Sequence, residues 1–389
     1  MTSTPFTFNL PATVVFGAGC SRELPAHAQR LGITRALLVT DAFFASNGLA
    51  AEFTTLLTQH NIDASVFSGV QPDPTDANAL AGVQMLRECN ADGVVALGGG
   101  SAIDCAKAIA MLARNAGPLR QYKGWHQVPR AGVPLIAIPT TAGTGSEATR
   151  VAVITDTEGD EKLMLLSAHL MPSAALVDFE LSLTMPKPLT AHVGVDTLTH
   201  GIEAYVSRKA NLMTDPIALS CIALTAGSLL TAWREPDNRA AREAMVMAAF
   251  QGGMAFSNSS VALVHGMSRP LGALFHVPHG LSNALLLPAV TRFSLGGALP
   301  RYATVARIMG LAGGNDDDET AGRKLADGLE LLNEALEIPP LRECVKVGRA
   351  KFERSLEKMA GDALASGSPQ NNPVVPTAEQ IMALYKEAW

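Results

Sequence analysis

The segment that most restricts the fold is Gly93-Val-Val-Ala-Leu97, followed at once by Gly98-Gly-Gly-Ser101. The first five residues have the pattern of a buried strand, short and apolar on both faces. The three glycines let the backbone turn sharply and approach a ligand closely. Ala102 to Ala113 then reads as a helix. That order turns the free N–H groups of a helix start outward, where an anion such as a pyrophosphate fits. The spelling is not G-x-G-x-x-G. Alone, it also fits a tight turn without a ligand.

The flanking segments repeat the alternation. Ala36 to Thr40, Ala64 to Phe67, Gly93 to Leu97 and Val133 to Ile138 read as strands. Leu49 to His60, Asp76 to Asn90 (with Asp76 as a cap) and Ala102 to Ala113 read as helices between them. Such alternation predicts a parallel sheet covered by helices. Val151 to Ile154 and Lys162 to Leu166 read as a later antiparallel pair. Beyond Pro186-Lys-Pro188 the segments are long and helical, from Leu189 to Ser207 through Thr320 to Leu336. The expected division is an α/β domain, residues 1–186, and an all-helical domain, residues 187–389. Asp316-Asp-Asp-Glu319 reads as a solvated helix start rather than a cation site.

Composition excludes several classes. The chain has 36 acidic and 30 basic side chains, a net charge of −6 and no basic run, which argues against nucleic-acid binding. The N-terminal residues lack the pattern of a signal peptide. Leu219 to Trp233 is weakly polar but carries Ser220, Thr225 and Ser228, so a buried helix is expected rather than a membrane span. Five widely spaced cysteines without C-x-x-C fit a reducing compartment, and the expected location is cytoplasmic. Cys105, just after the glycine turn, reads as small helix filler.

A second segment strengthens the ligand reading. Pro139-Thr-Thr-Ala-Gly-Thr-Gly-Ser-Glu147 follows the strand Val133 to Ile138 and places hydroxyls and glycines at its carboxyl end. That end is where open α/β sheets bind ligands. Asp41 closes the first strand and could accept both hydroxyls of an adenosine ribose while repelling a 2′-phosphate, which favours NAD over NADP. It could equally cap a helix.

The helical half concentrates histidines: five of nine fall between His192 and His279. Asp196 and His200 are four apart, which on a helix puts them on one face. His265 and His279 are separated by Pro270, Gly272 and Pro278, breakers that predict different elements for the two. One carboxylate and three imidazoles suit Fe²⁺ or Zn²⁺. Spacing alone does not choose among the five histidines, because His192 and His276 compete. Glu203 could stand in for Asp196.

Taken together, Val39-Thr-Asp41, Gly98-Gly-Gly-Ser101 with Asp104 and Lys107, Pro139 to Glu147, Asp196-Thr-Leu-Thr-His-Gly-Ile-Glu-Ala-Tyr205 and Pro278-His-Gly280 resemble the iron-containing (group III) alcohol dehydrogenases. The likeness is greatest to the lactaldehyde reductase and 1,3-propanediol dehydrogenase branch, and it runs almost end to end. It implies a Rossmann-like dinucleotide-binding domain, a helical metal-binding domain of the dehydroquinate synthase kind, and a homodimer or higher homo-oligomer. It implies metal ligation by Asp196, His200, His265 and His279, and excludes His192. It also implies that Asp41, Gly98, Gly99, Gly100, Ser101, Asp104, Thr140, Thr141, Thr144 and Lys162 line NAD.

The implied reaction is hydride transfer between NAD(H) and a small primary alcohol or aldehyde, with Fe²⁺, Zn²⁺ or another divalent metal as Lewis acid on the substrate oxygen. His276 is the expected proton-relay residue. One position departs from the family, which commonly has histidine where Arg269 stands. An arginine stays charged and can hardly relay protons. It would either bind an anionic tail, such as that of a semialdehyde, sulfoacetaldehyde or phosphonoacetaldehyde, or pair with a nearby acid. Three rival activities follow. A dehydroquinate synthase-type lyase would consume no net NAD, a maleylacetate reductase typically lacks the metal pattern, and a scaffold would not need a full ligand set.

Overall fold

A computed structural model describes residues 5–159 and 161–389. The chain forms two compact units, Asn9–Thr184 and Met185–Trp389, with residues 5–8 grouped with the second.

Among the described residues the first unit has nine strands: β1 (Thr13–Phe16), β2 (Arg35–Asp41), β3 (Asp63–Val70), β4 (Gly93–Gly98), β5 (Gly124–Trp125), β6 (Leu135–Pro139), β7 (Val151–Asp156), β8 (Glu161–Leu166) and β9 (Ala174–Val177). Six make a parallel sheet in the order β1-β9-β6-β4-β2-β3. Alternation along the strands supplies two cores, one per face. Leu37, Val39, Val94, Ala96 and Ala137 point to the face covered by the helices Asp76–Glu88 and Gly100–Leu112. Leu38, Val95, Leu97, Ile136 and Ile138 point to the face covered by Leu24, Phe53 and Leu57. β7 and β8 pair antiparallel, as their sequences predict, in a second sheet with β5.

From β2 the chain moves outward to β3 and then crosses to β4 on the other side of β2. This reversal opens a crevice at the carboxyl ends of β2 and β4, the usual ligand site of such sheets. Asp41 and Gly98 end these two strands, and Pro139 ends the neighbouring β6. The helix after β3 is capped by Thr75 rather than Asp76, through a reciprocal box with Asn78.

The second unit is helical. Its centre is the helix Lys187–Val206, whose residues are buried without a break from Gly194 to Val206. It packs on the helices Thr214–Arg234 and Arg239–Asn258. Thr214–Arg234 is long and apolar enough to cross a membrane by composition, and here it packs against Lys187–Val206 and Arg239–Asn258. Asp317 caps the helix Asp318–Ala335, and Asp316 pairs with Lys324.

One expectation about the chain path is corrected. Pro270 and Gly272 do not break the helix Leu263–Phe275, which runs through both. Side-chain hydroxyls bond two of its carbonyls, Tyr385 donating to Met267 O and Ser268 to His265 O. The break falls at His276, in the left-handed conformation, and Pro278, after which His279–Ser294 begins.

Candidate active site

In the first unit the candidate site is built from backbone. Gly98 has φ near +149°, a conformation rarely adopted by side-chain-bearing residues. Gly99 caps the following helix, so its first amides are open to an anion. The segment after β6 lies tight against this turn. A Cβ on Gly99 would meet the Thr141 side chain at 3.2 Å, and one on Gly100 would meet Thr144 Cγ2 at 2.7 Å. Thr140 donates its amide to Gly98 O at 3.1 Å, while its buried hydroxyl has no partner among the described residues. A buried orphan hydroxyl beside a bare helix start is what a polar cofactor would satisfy. Asp41 caps the helix Ala42–Ser46 with one oxygen, Oδ1, at 2.9 Å and 3.1 Å from the amides of Phe43 and Phe44.

Other predicted cofactor residues have structural partners. Asp104 accepts from the Ser146 hydroxyl at 2.6 Å and from Val153 N at 2.9 Å, so both of its oxygens serve the fold. Lys162, on β8, pairs with Asp73 at 3.0 Å. Lys107 is fully buried and donates to Ser146 O, Ser146 Oγ, Thr149 Oγ1 and Val151 O at 2.7–2.9 Å. It bolts the helix after the glycine turn to the hydroxyl-rich segment. Burial pulls its ammonium down to about 8 and pushes the buried Glu147 carboxyl up to about 7. Cys105 is buried, and desolvation raises its thiol to about 12, so it is inert filler.

The second unit brings side chains together from three helices. Asp196 and His200 come from Lys187–Val206, His265 from Leu263–Phe275, and His279 from the first turn of His279–Ser294. One atom each of Asp196, His265 and His279 lies within 4.8 Å of the others. Asp196 Oδ1 is 3.7 Å from His200 Nε2, 3.6 Å from His265 Nε2 and 3.9 Å from His279 Nε2. Ligand atoms at the corners of a tetrahedron about a metal would be roughly 3.4 Å apart. His200 stacks between Phe256 and His265, at ring-centre distances of 4.5 Å and 4.7 Å. Burial opposes ionisation of Asp196, but the imidazoles of His200, His279 and His265 hold its carboxyl well below the usual range.

Asn283 tests whether a cation fits. Its Nδ2 lies 2.6 Å from Asp196 Oδ1 and 3.2 Å from both His265 Nε2 and His279 Nε2. Two N–H bonds cannot serve three acceptors. The cluster has a surplus of lone pairs, which a divalent ion would satisfy. Asp196, His200 and His265 are nearly inaccessible, whereas the His279 side chain is 42% exposed. A mostly closed ligand set with one accessible member leaves a route for substrate.

Family models for iron-containing alcohol dehydrogenases match residues 11–179 and, for the C-terminal part, 190–389. The NAD-dependent methanol dehydrogenase of Bacillus methanolicus is 35% identical over 98% of this chain and 99% of its own. The lactaldehyde reductase of Escherichia coli K12 is 34% identical over 98% of both chains. A crystal structure of 1,3-propanediol oxidoreductase superposes with a TM-score of 0.96 at 35% identity, covering 99% of this chain and 100% of that one.

The chain belongs to the iron-containing alcohol dehydrogenase family. It is an NAD-dependent oxidoreductase that interconverts alcohols and aldehydes.

In this iron-containing alcohol dehydrogenase, two residues shape the cluster in ways the sequence did not show: Glu203, expected only as a substitute ligand, and Asn283, which was missed. Glu203 is an outer support rather than a stand-in for Asp196. Its carboxylate accepts from His265 Nδ1 at 2.6 Å, Ala262 N at 2.9 Å and Val264 N at 2.6 Å. That bond fixes the tautomer of His265 and leaves Nε2 with its lone pair toward Asp196. Asn283 is the second; its position four residues after His279 was the only signal available. His276 is exposed at the C-terminal cap of the His265 helix. His192 is not among the imidazoles that act on the Asp196 carboxyl, and its backbone oxygen would be 2.6 Å from a Cβ on Gly280, so that glycine lets the His279 helix approach. Arg269 is partly buried and donates from Nη1 to the Ser368 hydroxyl at 2.9 Å.

Proposed function

We propose that this dehydrogenase acts on a small primary alcohol or aldehyde, with Fe²⁺ held by Asp196, His200, His265 and His279. The observation that carries this reading is the convergence of three imidazoles on Asp196 Oδ1, with His265 Nε2 oriented by Glu203. When bound, the metal supplies Lewis acidity to the substrate oxygen, and Zn²⁺ or another divalent ion would suit the same donors.

The chain's own residues do the rest. Ionised Asp196 supplies the negative charge of the donor set. Glu203 keeps a proton on His265 Nδ1. Gly99, Gly100 and Ser101 offer backbone amides to the pyrophosphate of NAD, and Thr140, Thr141 and Thr144 offer hydroxyls. Asp41 accepts from the adenosine ribose through the oxygen its cap does not use. Asp104 and Lys162 act on the cofactor indirectly, by holding the segments that line it. His276 is the proposed relay of the proton to solvent, which its exposure supports. The functional boundary is placed between residues 186 and 187. The enzyme is proposed to be a cytoplasmic homodimer, in keeping with its five free thiols.

The test is anaerobic reconstitution with Fe²⁺ followed by NADH oxidation with butanal. Metal-dependent turnover with NADH, and little with NADPH, is expected. Turnover of metal-free protein equal to that of the reconstituted enzyme would reject the assignment.

A further inference from the structure

Among the described residues, Arg269 is a cation without an ion-pair partner. Its guanidinium has five N–H bonds, and one of them, to the Ser368 hydroxyl, is used among the described residues. Burial pulls it down to about 10, against the field of Glu203. Glu203 is committed elsewhere, with its two oxygens taken by His265 Nδ1 and the amides of Ala262 and Val264. No described carboxylate forms an ion pair with Arg269. A charge partly withdrawn from water without a partner is costly and calls for a counter-charge.

The local charges say what sign is missing. Asp196 and Glu203 each carry one negative charge and Arg269 one positive charge. The three imidazoles are neutral when they act as ligands. The cluster is therefore negative by one, and a divalent ion makes it positive by one. One more anion restores neutrality. Arg269 stands one helical turn after His265 on the same face of Leu263–Phe275. Residues so spaced have Cβ atoms about 5–6 Å apart. The two side chains are therefore neighbours, within reach of one small molecule.

We propose that Arg269, with Ser368, is a specificity site for the far end of the substrate, and that the preferred substrate is a short aldehyde or alcohol carrying an anionic group. The proposal rests on the reading of the site as a metal- and NAD-dependent dehydrogenase. The aldehyde end lies toward His265 and the anion lies against the guanidinium. A planar oxyanion can take two of its free N–H bonds, with the Ser368 hydroxyl beside them. The chemistry is shared by carboxylate, sulfonate and phosphonate tails.

The kinetic test compares two four-carbon aldehydes, 4-oxobutanoate and butanal, with NADH and metal-reconstituted enzyme. The kcat/KM ratio of the anionic to the neutral aldehyde should be about 100 in the natural enzyme. It should fall at least tenfold in Arg269→Gln, chiefly through KM for 4-oxobutanoate, and fall less in Arg269→Lys, which keeps the charge but loses the fork. A ratio near one in the natural enzyme, or the same ratio in Arg269→Gln, overturns the proposal. Using a ratio cancels any loss of metal or folded protein.

Calorimetry without NAD gives a second reading. 4-Hydroxybutanoate should bind more tightly than 1-butanol, and Arg269→Gln should remove the difference. If neither aldehyde is reduced, the functional reading fails, and calorimetry still decides the anion. Arg269-dependent binding supports the site, and binding indifferent to Arg269, or none, overturns it.

Discussion

The two units build their sites from different materials. In Asn9–Thr184 the working surface is main chain: glycines at a strand end, open amides at a helix start and short hydroxyl side chains packed against them. In Met185–Trp389 it is side chains from three helices aimed at one point. A backbone site is set by what is missing, since any added Cβ intrudes. A side-chain site is set by what is present, and it depends on the helices being docked correctly. The first should fail by losing NAD, and the second by losing metal.

The largest effect should come from Asp196→Ala. Removing the carboxylate on which the imidazoles converge should empty the site and lower NADH-linked turnover by about 10³-fold or more. Elemental analysis and NADH absorbance read the two losses, and full metal occupancy in the variant would break the assignment. Next is Glu203→Gln, which exchanges the charged acceptor behind His265 for a neutral amide. Metal affinity should weaken by about 10–100-fold in a chelator competition. An unchanged affinity would show that the tautomer of His265 is fixed some other way.

Gly100→Val tests the opposite material. Its Cβ would fall 2.7 Å from Thr144 Cγ2, so the Michaelis constant for NAD should rise by about tenfold at constant metal content. Metal loss in this variant would erase the distinction between the units.

The smallest effect is on stability. Glu147 has its folded pKa raised from the usual 4.5 to about 7 by burial. Its contribution is fully present below pH 4.5 and is lost as pH rises through 7. Glu147→Gln should remove that slope and gain on the order of 1–3 kcal/mol relative to the natural chain by pH 8, measured by denaturant unfolding. Lys107 has the opposite sign, since its depressed pKa of about 8 adds stability only as pH climbs from 8 toward 10.5. A variant whose stability curve still falls between pH 4.5 and 7 would reject the role of Glu147.

Legibility in the sequence follows the same division. The glycine turn was readable because strand, turn and helix are contiguous, so their order is itself the geometry. Asp196 and His200 were readable because helical spacing is periodic. His265 and His279 could not be chosen by spacing over His192 and His276, because the choice depends on how three helices cross. Glu203 was visible as a spare carboxylate, but its partners are the first amides of a helix some sixty residues away. Lys107 was legible only as one of the residues that carry the resemblance, and only the folded chain shows its four acceptors. β1 and β9 were missed because each has four residues and finds its neighbours far away in the chain. Pro270 misled because tertiary packing outweighed its intrinsic preference.

The grip of Glu203 also has a consequence measured in time. One carboxylate holds the His265 ring and the amides that begin its helix. His265 cannot swing aside as a lone side chain without unsettling the end of that helix. Release of an ion held there would then wait on a local unfolding event rather than a rotamer change. Such openings are far slower than side-chain motion. The residence time of the metal should follow how often the Ala262–His265 stretch opens, and hydrogen exchange at the amides of Ala262 and Val264 would keep the same clock.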